Sequence, residues 1–381
     1  MSPCIQFAKS NQESKKGEDF ACALNETQNA PAAFAIFDGH SGKETARICS
    51  DIVCQRLLQA GPPFKEDAII DAIWAADEEI GLQKVRDGAT AQIMLVEKAG
   101  DNLKVTVAWC GDSSLVVTNV SDGKLLFSTA SHTAGPDHQG GGAWQPEKVF
   151  LERLVALRKA VEATADIDTV KAETTPDMVK AAIQSLGEEP KEEEVALMVR
   201  ALRRGKIVAD VYWELNPQKL AENAEYVRKN LFVRQRDKDH DVNQVWVVAT
   251  ADNRADPGYS DVQMTRSICD WKAADLVLPH PQVHSFEVPA GEVFRVCLAS
   301  DGLWDICNFE TACTEIATAP TVAKASDALL SRAVKEYIGN RGHDSMDDDT
   351  TILVVELNPS GVKPQLLPAP PSGGGGCCTI A

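Results

Sequence analysis

Three aspartate sites in this chain stand where an apolar run meets a loop. AAFAIF ends on Asp38-Gly39-His40, FRVCLAS ends on Asp301-Gly302, and the acidic run Asp347-Asp348-Asp349 directly precedes TTILVVEL. A carboxylate at a strand end has a rigid support and still faces the loops, which is the pre-organisation a metal site needs. No cysteine or histidine cluster accompanies these aspartates, so the all-oxygen donor set suits Mg²⁺ or Mn²⁺ and not Zn²⁺. Two such ions about 4 Å apart can share a carboxylate, lower the pKa of a bridging water and orient it for in-line attack on phosphorus. Taken singly, an Asp-Gly pair is as readily a simple turn.

The elements that must position these groups are short β-runs and two helices. Ala32–Phe37, Ala91–Val96, Leu103–Cys110 and Ser114–Val120 read as strands, with a turn at Asp122-Gly123 leading into KLLFST. Lys43 to about Leu58 has the helical period, with Ala46, Ile48, Ile52, Val53 and Leu57 on one face, and a second helix is expected near Glu66–Ile80. Strand-like runs return in QVWVVAT, VFRVCLAS and TTILVVEL.

Between these two halves the texture changes. After Gly140-Gly141-Gly142 the chain is charged and rich in Ala and Glu, and Phe150, Leu154, Leu157 and Val161 form a helical stripe. Thr175-Pro176-Asp177 starts a further helix that Gly187 stops, and another runs from about Glu192 to Leu202. Residues 135–235 therefore read as a helical insertion between segments 1–134 and 236–358, and its charged stripes suggest a docking or regulatory surface beside the site. SLGEEPKEEE weakly resembles part of a paired EF-hand, but Arg203, Arg204, Val208 and Ala209 stand where calcium would need oxygen side chains. Calcium binding is not expected.

Composition narrows the function classes. A net charge of −18 over 381 residues argues against nucleic acid as a partner, and 44% hydrophobic residues suffice for a folded core. The 11 cysteines include no Cys-x-x-Cys pair, and several sit in apolar runs, as reduced thiols of a cytoplasmic protein do. No secretory signal opens the chain, and no apolar run approaches the ~20 residues of a membrane span. Ser2 follows the initiator methionine, so the glycine for N-myristoylation is absent.

The strings FAIFDGHSG, DGATAQIMLV, VAWCGDSSLVV, VQMTRSICD, CLASDGLWDI and DDDTTILVV occur in this order. Together they resemble the successive motifs of the metal-dependent protein phosphatase 2C family of serine/threonine phosphatases, over roughly residues 5–135 and 245–357. The resemblance implies an α+β fold, a four-layer sandwich of two antiparallel β-sheets flanked by helices. It also implies hydrolysis of phosphoserine and phosphothreonine in phosphoprotein substrates by a metal-activated water, without a phosphoenzyme.

By the same resemblance Asp38 bridges both metal ions, Gly39 offers its backbone carbonyl, and Asp301 and Asp348 are further ligands. Asp347 or Asp349 would replace Asp348 if the register shifted by one. Glu18 and Asp19 resemble the pair that holds metal-bound waters. His40 stands at the place of the general acid, a role suited to a side chain whose pKa lies near working pH.

This sequence also departs from the family pattern. Ser14 stands where the family usually has a phosphate-clamping arginine, with Lys15 and Lys16 beside it as replacements that carry charge without a bidentate fork. Ser131-His132-Thr133-Ala134 replaces Asp-His-Lys-Pro, removing an aspartate expected at a third metal, while Asp305 keeps another expected ligand. Ser114 replaces an arginine after Gly-Asp-Ser. These changes leave a second reading open, a catalytically weak scaffold that binds phosphoproteins.

Residues 359–381 form a flexible Pro- and Gly-rich tail. It ends in Cys378-Thr379-Ile380-Ala381, a prenylation pattern, with Cys377 beside it as a second acyl acceptor. Membrane attachment on the cytosolic face is the expectation. Oligomeric state is not legible.

Overall fold

The computed structural model describes residues 4–24, 31–133, 144–164, 174–215, 232–235, 246–249, 261–271, 276–340, 346 and 348–361. Two antiparallel sheets form the body. One runs in the order β1 (Cys4–Gln12), β14 (Thr350–Asn358), β13 (Phe294–Ala299), β7 (Ser114–Asn119), β8 (Leu125–Ser128). The other runs β12 (Gln282–Val288), β6 (Asn102–Cys110), β5 (Ala91–Ala99), β3 (Ala32–His40), β2 (Asp19–Leu24), with β4 (Gly88–Ala89) on the end of β3. A small third sheet pairs β9 (Phe232–Gln235), β10 (Trp246–Ala249) and β11 (Asp261–Val262).

The side-chain period of two decides the layers. Phe34 and Ile36 point between the sheets, where they meet Met94, Val105, Val107, Leu115, Leu298 and Val355. Ala33, Ala35 and Phe37 point the other way, onto α1 (Glu44–Ala60) and α2 (Glu66–Leu82). A strand covered on both faces reads as one continuous apolar run, which is why AAFAIF shows no alternation. On the outer face of the first sheet, Cys297, Ala299 and Val354 pack against Ala312, Ile316 and Leu329 of the helices Phe309–Thr318 and Val322–Val334. The result is helices, sheet, sheet, helices, as expected. The eight cysteines whose side chains are described are all buried free thiols. Among the described residues no helix is long and apolar enough to cross a membrane.

The intervening region contains α3 (Trp144–Thr164), α4 (Pro176–Ser185) and α5 (Glu192–Leu215). Thr175 caps α4 by accepting from the Met178 N–H, and Pro176 occupies the first turn, where its missing donor costs nothing. Leu154, Leu157 and Val161 pack against Val179, Ile183, Met198 and Leu202, and the cluster continues into Leu276 and Leu278. The inner face of this region is thus not a free docking surface beside the body. Two buried ion pairs join it there: Arg204 of α5 to Asp77 of α2, and Glu147 of α3 to Arg266.

A third buried pair braces the first sheet. Arg295 is 1% exposed, donates to Glu356 on the neighbouring strand, and also donates to the carbonyls of Ile316 and Ala319 at the end of a covering helix. Breaking a buried pair leaves the other charge uncompensated. Arg295→Ala is therefore expected to lower the unfolding free energy by about 3–5 kcal/mol, read as a lower urea midpoint with the slope unchanged.

Candidate active site

Strand ends from both sheets meet at one edge of the sandwich. In the antiparallel register Ala299 lies opposite both Ile352 and Ser114, so the end of β13 adjoins the starts of β14 and β7. Asp301 follows β13, Asp348 and Asp349 precede β14, and Asp112 precedes β7. From the second sheet, Asp19 at the start of β2 pairs directly with Asp38 near the end of β3.

The carboxylates are half-buried and share one electrostatic environment. Burial pushes Asp38 well above the usual carboxylate range, and the charges of Asp19, Asp301, Asp112 and Asp348 push it further. Asp301 is raised likewise by burial and then by Asp112, Asp305, Asp348 and Asp19. Asp19 is pushed up to about 6 chiefly by burial, against hydrogen bonds that favour its charged form, including one from Ser300 Oγ at 2.7 Å. Asp112 is raised to about 6 by burial and by Asp305, with His40 opposing. Oδ1 of Asp19 and Oδ1 of Asp301 are buried and accept no hydrogen bond. Among the described residues no three of these groups stand in metal-ligand geometry.

The acidic run before β14 divides its labour. Asp349 is buried and accepts from the backbone N–H groups of Ser14 and Glu18, so it fastens the 14–18 loop. Burial would raise its pKa, but those N–H groups outweigh it and hold Asp349 below its usual value. Asp348 instead meets Lys16, whose Nζ donates to both carboxylate oxygens at 2.9 and 2.8 Å. Asp347 lies outside the described residues. Glu18 accepts from the Gly42 N–H at 2.8 Å, and its carbonyl accepts from the Gly39 N–H. Lys15 is exposed. Cys377 and Cys378 lie outside the described residues.

His40 is paired through Nε2 to Asp270 at 2.6 Å, and Ser267 Oγ also donates to Asp270. Burial works against the imidazolium, but Asp270 outweighs it and raises the His40 pKa above its usual value. Gly88 leaves room for this pair, since a Cβ there would stand 2.3 Å from His40 Nε2 and 2.4 Å from an Asp270 oxygen.

Two residues of the site were not singled out from the sequence. Asp112 lay in the quoted Gly-Asp-Ser string, and Asp270 ended VQMTRSICD; neither carries a local sign of convergence. His132 braces the loop, its N–H donating to the Gly111 carbonyl and its Nδ1 accepting from the Gly111 N–H. Asp112 is one of the acidic neighbours of Asp301, with Asp305, Asp348 and Asp19.

A family model described as Protein phosphatase 2C matches residues 2–138 and 228–345, more than half of the chain. The chain belongs to the protein phosphatase 2C family. Among relatives of this family, "Probable protein phosphatase 2C 69" of Oryza sativa subsp. japonica is 36% identical over 377 residues, covering 94% of this chain and 64% of its own length. "Probable protein phosphatase 2C 5" of Arabidopsis thaliana is 34% identical over 108 residues, 28% of this chain and 23% of the relative. The chain thus spans less than two thirds of these curated relatives. The fold matches a serine-threonine phosphatase 2C from Toxoplasma gondii with a TM-score of 0.58 at 15% identity, covering 94% of this chain and 96% of that one. The phosphatase 2C family model passes over the whole of α3, α4 and α5.

The raised carboxylates set a pH dependence for the metal-free protein. A folded acid with a raised pKa binds more protons than its unfolded counterpart, so its contribution is fully present below about pH 4 and is lost as pH rises. For Asp19 and Asp112 the loss runs up to about 6, and Asp38 and Asp301, also raised well above the usual carboxylate value, add to it. With chelator present, Asp301→Asn should therefore gain melting temperature over the wild type, and gain more at about pH 7.5 than at about pH 5. Equal gains at both would mean that Asp301 is not held above its usual pKa.

Proposed function

We propose that this chain hydrolyses phosphoserine and phosphothreonine esters of proteins with the aid of two Mg²⁺ or Mn²⁺ ions. The observation that carries the reading is the meeting of Asp19, Asp38, Asp112, Asp301 and Asp348 at the strand ends of both sheets. Their number, their mutual repulsion and the two carboxylate oxygens without donors fit a hard divalent cation, which would relieve all three conditions. Asp38, the Gly39 carbonyl, Asp301 and Asp348 would hold the ions, with Glu18, Asp19, Asp112 and Asp305 as outer partners. The bound ions would supply an activated water and an electrostatic clamp on the phosphoryl oxygens.

The other steps belong to the side chains. His40, kept protonated by Asp270, would donate its proton to the departing serine or threonine oxygen as the P–O bond breaks. Lys16, already against Asp348, brings positive charge to the edge of the site, where Ser14 offers no guanidinium. Family membership and the intact His40–Asp270 pair support an enzyme over a binding scaffold.

Asp38→Ala is expected to abolish most Mn²⁺ binding by calorimetry and to cut turnover of phosphopeptides by at least about a thousandfold. Near-wild-type Mn²⁺-dependent turnover in this variant would sink the metal reading. Neutralising Lys15 and Lys16 together should raise KM roughly tenfold, the size of one charged hydrogen bond, with a smaller fall in kcat. An unchanged KM would assign the phosphate to another cation.

A further inference from the structure

The segment 264–271 reaches the site from behind β4 and is held there by groups on three helices. Ile268 and Ala89 exchange both of their backbone hydrogen bonds, at 2.9 and 3.0 Å. Upstream, Glu147 of α3 accepts from Thr265 Oγ1 at 2.6 Å and from Arg266 Nε and Nη2 at 3.0 and 2.8 Å. Downstream, the chain turns sharply: Cys269 has φ +67° and Asp270 has φ +30°. A non-glycine residue in the left-handed region costs about 1–3 kcal/mol and persists only where its surroundings over-determine it.

The surroundings at Cys269 are specific. Its N–H donates to Asp77 Oδ1 at 2.7 Å, and its carbonyl accepts from Arg204 Nη2 at 2.6 Å. Arg204 closes the ring through Asp77, with Nε on Oδ2 at 2.9 Å and Nη2 on Oδ1 at 3.2 Å. Trp271 Nε1 also donates to Asp77, and its ring lies against Gly81 one turn along α2, where a Cβ would stand 1.5 Å from the indole. Asp77 and Arg204 are 1% and 3% exposed. Both backbone groups of the strained residue are thus bound by one buried ion pair, and the next residue is Asp270, which holds His40.

We propose that Arg204 of α5, acting with Asp77, is a positioning residue that holds the left-handed Cys269-Asp270 turn and so keeps His40 aimed at the leaving oxygen. The inference rests on the phosphatase reading above. Arg204 lies between the two stretches that the family model matches, so this clamp belongs to the helical region of this chain. With Nε2 committed to Asp270, Nδ1 is the ring nitrogen left to protonate a leaving group; the oxygen takes that proton as it takes the electron pair of the breaking P–O bond. A tilt of about 1 Å in a proton donor can cost on the order of a hundredfold.

Leaving groups separate positioning from general damage. A serine alkoxide needs its proton, whereas p-nitrophenolate departs without one. Arg204→Met should therefore lower kcat on a phosphoserine peptide by about tenfold or more, and on p-nitrophenyl phosphate by less than about threefold, with KM little changed. Amide exchange at Cys269 should quicken in the same variant. Cys269→Gly, which removes the left-handed penalty, should restore much of the peptide activity in the Arg204→Met background. If Arg204→Met does not fold, Arg204→Lys keeps the charge without the fork that reaches both Asp77 and the Cys269 carbonyl, and the same pattern is expected. Equal losses on both esters, unchanged Cys269 exchange, or no rescue by glycine would overturn the proposal. A wild type inactive on both esters would count against the phosphatase reading, while Cys269 exchange would still decide whether Arg204 holds the turn.

Discussion

Crowded carboxylates repel, and that repulsion is the condition around which the rest of this fold is arranged. Several aspartates of one sign sit half-buried at one edge of a sandwich, and burial together with their mutual charge raises Asp38 and Asp301 well above the usual carboxylate range. Once ionised, such a cluster costs the fold stability. The supporting structure must hold it in place against that repulsion, with stability drawn from elsewhere.

Much of that stability comes from the apolar layers. Phe34, Ile36, Leu298 and Val355 lie between the sheets, and both outer faces are covered by helices, so the strands that end in Asp38 and Asp301 are buried along their length. Rigid strands delivering charges to their ends make the repulsion tolerable, because no single carboxylate can swing away without dragging a packed strand. The N–H groups of Ser14 and Glu18 spend Asp349 on fastening a loop, which leaves Asp348 to the cluster. Neighbouring acids in one run thus do opposite work, and the difference lies only in which way each faces.

The helical region deepens the same theme. It joins the body through Arg204–Asp77 and Glu147–Arg266, two buried pairs of opposite chain polarity: the cation comes from the helices in one and from the body in the other. A buried pair is weak evidence of stability but strong evidence of a fixed geometry, since neither partner can leave the other unpaired. What these pairs fix is the short segment that carries Asp270 to His40. A region with no counterpart in the family model therefore reaches within one residue of the proposed proton donor's partner.

The strands and helices around the site were legible in the sequence because their signals are local. Asp38 and Asp301 follow long apolar runs, and the helix at 44–60 shows its apolar face at a regular period. β1 and β2 were less legible, since CIQFAKSNQ and DFACAL mix polar and small residues and depend on partners more than 300 and about 15 positions away. The six ordered strings sufficed to suggest the family and hence the sandwich. What the sequence alone could not decide was which charges would meet. Asp112 and Asp270 became part of the site, His132 braces a loop through Gly111, and Arg204, read only as a residue unfit for calcium, became half of a buried clamp. Hydrophobic period is written along the chain, but electrostatic partnership is set by distance in space. Only the tertiary structure brings residues 40, 77, 204 and 270 together.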